Sequence, residues 1–109
     1  MKISLESKIE TERFILIMNI GLMTALKDGS ITIEDAENYL YSPYSAKKLE
    51  KLGIGKEVIT LIYLGCELEN VKSIIPHELI NSMDDIERKS KELLRLLPKS
   101  MLPMKKWID

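Results

Sequence analysis

"LKDGSITIEDAE", residues Leu26–Glu37, can be read in two ways, and the choice decides the fold. As part of an EF-hand it would be a calcium loop, with Gly29 in the sixth position, where such loops need glycine for a sharp turn. That alignment puts Thr24 first, Leu26 third and Asp35 twelfth. Two ligand positions then lack a carboxylate and the bidentate Glu is shortened, so the loop falls short of the roughly six oxygens a hard cation takes. As a helix junction the same residues fit. Gly29 ends one helix, Thr32 caps the next with Asp35 three residues on in a capping box, and Ile31 can staple onto Ala36. The stretch joins two helices, and the chain on both sides reads the same way.

Upstream, "SKIE" at Ser7–Glu10 reads as a capping box, with a start near Ser4 as the alternative, and the helix runs to Lys27. Its apolar positions Ile9, Phe14–Met18, Ile20, Leu22, Met23, Ala25 and Leu26 cover more than one face, which predicts a central helix packed on several sides. Asn19 would need a hydrogen-bond partner there, and Gly21 would admit a close backbone. Downstream, the Thr32 helix extends to about Tyr41, and Ser42-Pro43 opens a third, "YSAKKLEKL", ending at Gly53. A fourth, "EVITLIYLGCEL", turns Val58, Ile59, Leu61, Ile62 and Leu64 inward, with Gly65 and Asn70 weakening its far end. "ENVKSII" is a short further turn stopped by Pro76, which opens the last long helix, to about Leu97. In it Leu79, Met83, Ile86, Ser90, Leu93 and Leu97 form one stripe, with Ile80 and Leu94 beside it. The expected fold is all-α: a compact single-domain bundle of about five helices over residues 1–97, its long first and last helices packed together with short ones between. A tail, 98–109, carries Met101, Leu102, Met104 and Trp107.

Composition fits one such domain, since 109 residues with 45% hydrophobic and 30% charged positions can bury a core without staples. The longest apolar run, "FILIM", is far shorter than the roughly 20 residues of a membrane span, and charges interrupt the N-terminus before a signal-peptide core could form. A cytoplasmic location is expected, and a single cysteine, Cys66, excludes an internal disulfide and fits a reducing compartment. The net charge of −1 is spread in mild blocks, acidic through residue 41 and over 67–97, basic over 42–66 and in the tail. A nucleic-acid binder needs a concentrated basic stripe, and none is present in the sequence.

No chemistry assembles from the reactive residues. Cys66 and His77 lie on different predicted helices and read better as a small core residue and a first-turn residue than as a catalytic dyad. Two soft ligands cannot make a four-ligand zinc site, and "GIG" at 53–55 lacks the strand before it and the Lys-Ser/Thr after it that a phosphate loop requires. Residues 47–65 resemble a helix-turn-helix, but the reading helix "VITLIYLG" is almost wholly apolar and belongs in a core. The chain is therefore read as a non-enzyme with no cofactor, metal, nucleic acid or membrane partner. The carboxylates are better candidates. Glu34, Asp35 and Glu37, then Glu67 and Glu69, could present acid to a basic protein, although acids in first helical turns also serve the helix dipole. Tyr41 and Tyr44, in "YLYSPYS" at 39–45, would add aromatic anchors or sit at a core margin.

With "SPYS" at 42–45 and "ELENVKSIIP" at 67–76 in view, the chain resembles a family of small uncharacterised bacterial proteins over roughly residues 10–97. More loosely, in size, helical class and charge layout, it resembles the immunity proteins of contact-dependent growth inhibition toxin systems. That resemblance implies a small cytoplasmic protein that neutralises a cognate toxin, such as a nuclease, by binding it. The expectation is a non-enzymatic protein-binding protein whose partner meets Glu34, Asp35, Glu37, Tyr41, Tyr44, Glu67 and Glu69. The alternative is a homo-oligomeric or regulatory helical module that docks through the apolar tail. Oligomeric state is not legible.

Overall fold

Gly29 has a φ of 80°, a left-handed conformation that glycine adopts without a steric penalty. Around it the Gly29 amide donates to the Leu26 carbonyl at 3.2 Å and the Ser30 amide to the Ala25 carbonyl at 2.9 Å. This pair of bonds is a Schellman motif, and it ends α1, Leu5–Asp28. The Thr32 amide then donates to Asp35 Oδ2 at 3.0 Å, and Thr32 Oγ1 accepts from the Asp35 amide at 3.1 Å. The expected capping box therefore starts α2, Ile33–Tyr39. Ser42 caps α3, Pro43–Lys51, by accepting from the Ser45 amide, with Pro43 at its first position. Gly53, φ 87°, closes α3 with a second Schellman pair, from Gly53 to Glu50 and from Ile54 to Leu49.

The computed structural model describes residues 5–99. After α3 come α4, Lys56–Cys66, and α5, Leu68–Ile74. A 3-10 turn at Pro76–Glu78 leads into α6, Leu79–Leu96. The described residues form an all-α single domain, with four helices of nine or more residues and two seven-residue segments in place of the expected five. Two further boundaries differ from the sequence-based expectation. Ser7 lies inside α1, its carbonyl accepting from Thr11 Oγ1 one turn on, so "SKIE" does not cap the helix. Pro76 opens the 3-10 turn, and α6 begins three residues later.

The long helices α1 and α6 are antiparallel partners, as three contacts in reversed order establish. Arg13 Nη1 donates to the Pro98 carbonyl at 3.1 Å, Asn19 Nδ2 to Ser90 Oγ at 3.3 Å, and Lys27 Nζ lies 2.7 Å from both Asp84 and Glu87. Helix α4 is the third member of the core. Buried Glu12 of α1 accepts the Gly55 amide at 2.6 Å, at the point where α4 begins without a side-chain cap of its own. The carboxylate thus sits where the dipole of α4 favours negative charge. Leu16, Met23, Ile62 and Ile86 of these helices, with Leu68 of α5, are sealed in the core. Each such side chain contributes about 1.5–3 kcal/mol relative to exposure.

Helix α1 departs from its expected surroundings. Its inner face is fully packed, but Phe14 and Ile17 remain 57% and 52% exposed. Gly21, expected to admit a close backbone, is exposed with open space where a Cβ would stand. The apolar surplus of this helix exceeds what the described neighbours cover.

Candidate functional site

The predicted binding residues gather around the elbow between α2 and α3 and around the junction of α4 with α5. Ile33 and Ala36 of α2 are buried, as is Leu40 just after it, while Tyr39, on the flank of that face, is left outside. Tyr39 is 69% exposed and, among the described residues, its side chain makes no hydrogen bond. The helix then ends tightly, with the Ala36 carbonyl accepting from both the Leu40 and Tyr41 amides, at 2.9 and 3.1 Å. This turns Tyr41 inward. Three residues later, in the first turn of α3, Tyr44 is 73% exposed, and Lys48 Nζ lies 5.7 Å from its ring centroid. That cation–π contact braces the ring from one side.

Tyr41 corrects the sequence-based expectation. It is only 2% exposed, its hydroxyl donates to Asn19 Oδ1 at 2.9 Å, and Asn19 donates in turn to Ser90. The three polar groups are buried together and satisfy one another, so Tyr41 links α1, the elbow and α6 and has no surface to offer a partner. Burial also raises the Tyr41 pKa well above the usual phenol range. Asn19 thereby has the partner its position demands.

Of the acids, Glu34 and Glu69 are exposed and, among the described residues, make no hydrogen bond or ion pair. Asp35 is exposed but its carboxylate is held by the Thr32 amide in the capping box, which gives it a structural task first. Glu67 is exposed and accepts from Asn70 Nδ2 at 2.8 Å, while Glu37 is half-buried. Glu37 of α2 and Glu67 at the α4–α5 junction both act electrostatically on the Cys66 thiol. Burial pushes that thiol up, and Glu67 and then Glu37 push it further. A nucleophilic cysteine needs the opposite surroundings, a nearby cation or an activating base. Cys66 is therefore a half-buried thiol whose surroundings favour its protonated form.

Sequence reasoning missed Tyr39 as a surface aromatic and Glu12 as a buried carboxylate. Tyr39 follows buried Ala36 by three residues, so the helical period alone does not turn it outward, and nothing local to Glu12 announces that it serves a helix 43 residues away. Elsewhere a shallow apolar groove between α4 and α6 is lined by Leu61, Leu64, Leu93 and Leu96 and rimmed by Glu57, Lys89 and Glu92. Among the described residues no cluster of His, Cys, Asp and Glu could hold a metal ion, and no helix is long and apolar enough to cross a membrane. The surface so described presents two exposed tyrosines, Tyr44 braced by Lys48, and exposed carboxylates on α2 and at the α4–α5 junction.

Residues 6–109 match the model of a family described as "Protein of unknown function (DUF3969)". No curated protein and no solved structure matches the chain.

Proposed function

The chain belongs to that family of unknown function, and we propose that it is a non-enzymatic protein-binding protein, in its most concrete form an immunity protein that neutralises a cognate bacterial toxin. One observation carries the proposal: Tyr39 and Tyr44 stand out from the two helices of a single elbow, while the tyrosine between them, Tyr41, is locked in the core. Exposed aromatics with a rigid base are the commonest binding anchors, because they add buried area at little conformational cost. Exposed acids supply the second element. Glu34 on the first turn of α2, with Glu67 and Glu69 at the α4–α5 junction, would steer a basic partner and fix its register. Such a surface suits the inhibition of a nuclease-type toxin, whose own substrate is polyanionic and whose site is basic.

The test is to purify the chain with the product of an adjacent toxin gene and to titrate that product's activity. Formation of a stoichiometric complex with loss of the toxin's activity supports the proposal. A toxin that remains fully active with the chain in excess, and that forms no complex with it, counts against it.

A further inference from the structure

The outer side of α3 collects positive charge that the fold leaves unpaired. Ala46 and Leu49 turn toward the core, and Tyr44, Lys47, Lys48 and Lys51, at the i, i+3, i+4 and i+7 positions, share the opposite face, all of them exposed. Glu50, the one acid of this helix, accepts from the Tyr63 hydroxyl at 2.9 Å. Among the described residues none of the three lysines has an ion pair, and Lys48 lies over the Tyr44 ring. Helix α6 is built differently, since its exposed Arg88, Lys89 and Lys91 each meet a carboxylate of their own helix about one turn away. Lys48 and Lys51 stand in the last turn of α3, where positive charge complements the helix dipole. That role leaves their ammonium groups in water and open to a carboxylate.

The face is short. From Tyr44 to Lys51 the helix rises about 10 Å, and from Lys47 to Lys51 about 6 Å. Carboxylates one turn apart on a helix, or at alternate positions of an extended segment, stand about 6–7 Å apart and match the second distance. Nucleic acid fits this face less well. Three lysines fall short of the roughly 6–10 phosphate contacts that give a nucleic-acid binder its affinity, and a chain of net charge −1 does not attract a long polyanion.

We infer that this face of α3 docks a short acidic segment of a partner protein, whose carboxylates, about 6 Å apart, meet the lysines while an apolar residue beside them packs on Tyr44. The inference rests on the protein-binding reading for the partner being a protein, and it adds a second requirement to that partner. Besides the basic ground that meets Glu34, Glu67 and Glu69, the partner carries acid where it meets α3. Opposed charges on two parts of one surface fix register, because a partner turned end for end sets like charges against each other.

The test adds a short peptide, with Glu at alternate positions, Ser between them and a single Leu, to the isotope-labelled full-length protein and follows the protein's amide signals by NMR. No toxin enters this experiment, so its failure is distinct from a failure of the toxin titration. The expected result is saturable shifts centred on Tyr44–Lys51, weakened by salt and absent with the same peptide carrying Gln for Glu. Lys47→Gln with Lys51→Gln should weaken binding roughly tenfold, through the loss of two exposed ion pairs. Arg88→Gln with Lys89→Gln removes the same charge from α6, where it is already paired, and should change binding less than about twofold. No saturable shift, shifts centred elsewhere, or equal weakening by the two pairs of substitutions would overturn the inference. A single-stranded oligonucleotide of equal charge that binds α3 more tightly than the peptide would overturn it in favour of nucleic acid.

Discussion

The ring of Tyr41 occupies the space that any side chain at residue 65 would need, which places a glycine inside an otherwise apolar helix. Alanine is the better helix former by about 1 kcal/mol, but overpacking a core costs roughly 1–3 kcal/mol. The ring cannot easily retreat, because its hydroxyl is held by Asn19. We expect Gly65→Ala to be destabilising, by up to about 2 kcal/mol net on these figures, seen as a lower urea midpoint. A midpoint equal to or above that of the parent would show that the ring moves aside.

Removing the Tyr41 hydroxyl tests the buried polar relay from the other end. Tyr41→Phe leaves Asn19 Oδ1 without its donor in the core, a loss of about 1–3 kcal/mol. The same change at exposed Tyr39 or Tyr44 should fall within about 0.5 kcal/mol. In a double-mutant cycle Tyr41→Phe and Asn19→Ala should be far from additive; additive losses would mean that the two groups are not partners.

Acid should weaken the pairing of α1 with α6. Glu87 is held below the usual carboxylate range by Lys27 first and Lys91 second, so it favours the fold at neutral pH and loses that effect as pH falls through the carboxylate range. Glu87→Gln is expected to cost up to about 1 kcal/mol near neutrality. The gap between variant and parent in denaturant midpoint should close on acidification. A gap that persists at low pH would assign Glu87 a packing role instead.

Cys66 should alkylate slowly. Burial, then Glu67 and Glu37, raise the thiol in the folded state, so at fixed pH less of it is thiolate than in the unfolded chain. Iodoacetamide is expected to react several-fold more slowly with the native protein than in urea. Glu67→Gln should accelerate the native reaction modestly, and more than Glu37→Gln. The sign also fixes a stability effect: the native thiol holds its proton to higher pH, so this contribution fades as pH rises past the ordinary thiol value. Faster reaction in the native state would reopen a nucleophilic role.

Helix ends were legible in the sequence because capping is local. Gly29, Thr32 with Asp35, Ser42 with Pro43, and Gly53 each act through residues no more than five positions away. The stripe Met83–Ile86–Ser90 was legible for the same reason, since a helix's inward face is set by its own period. What long-range packing decides could not be read. Tyr41 and Tyr44 look alike in "YLYSPYS", and the buried hydrogen bond that Tyr41 makes to Asn19, 22 residues before it, cannot be read from the stretch itself. Likewise Phe14 and Ile17 have core-like character, yet no described element reaches their side of α1. The acidic grouping was half legible: Glu67 adjoins Cys66 in the sequence, but the influence of Glu37, 29 residues before that thiol, is a product of the fold.

The most direct measurement compares the affinity of a purified partner for the parent chain and for Tyr39→Ala and Tyr44→Ala, by calorimetry, with thermal melts run alongside. We expect each variant to lose about 2 kcal/mol of binding, roughly a 30-fold rise in Kd, with an unchanged melting temperature. Parent-like affinity in both would contradict a binding surface built on the α2–α3 elbow.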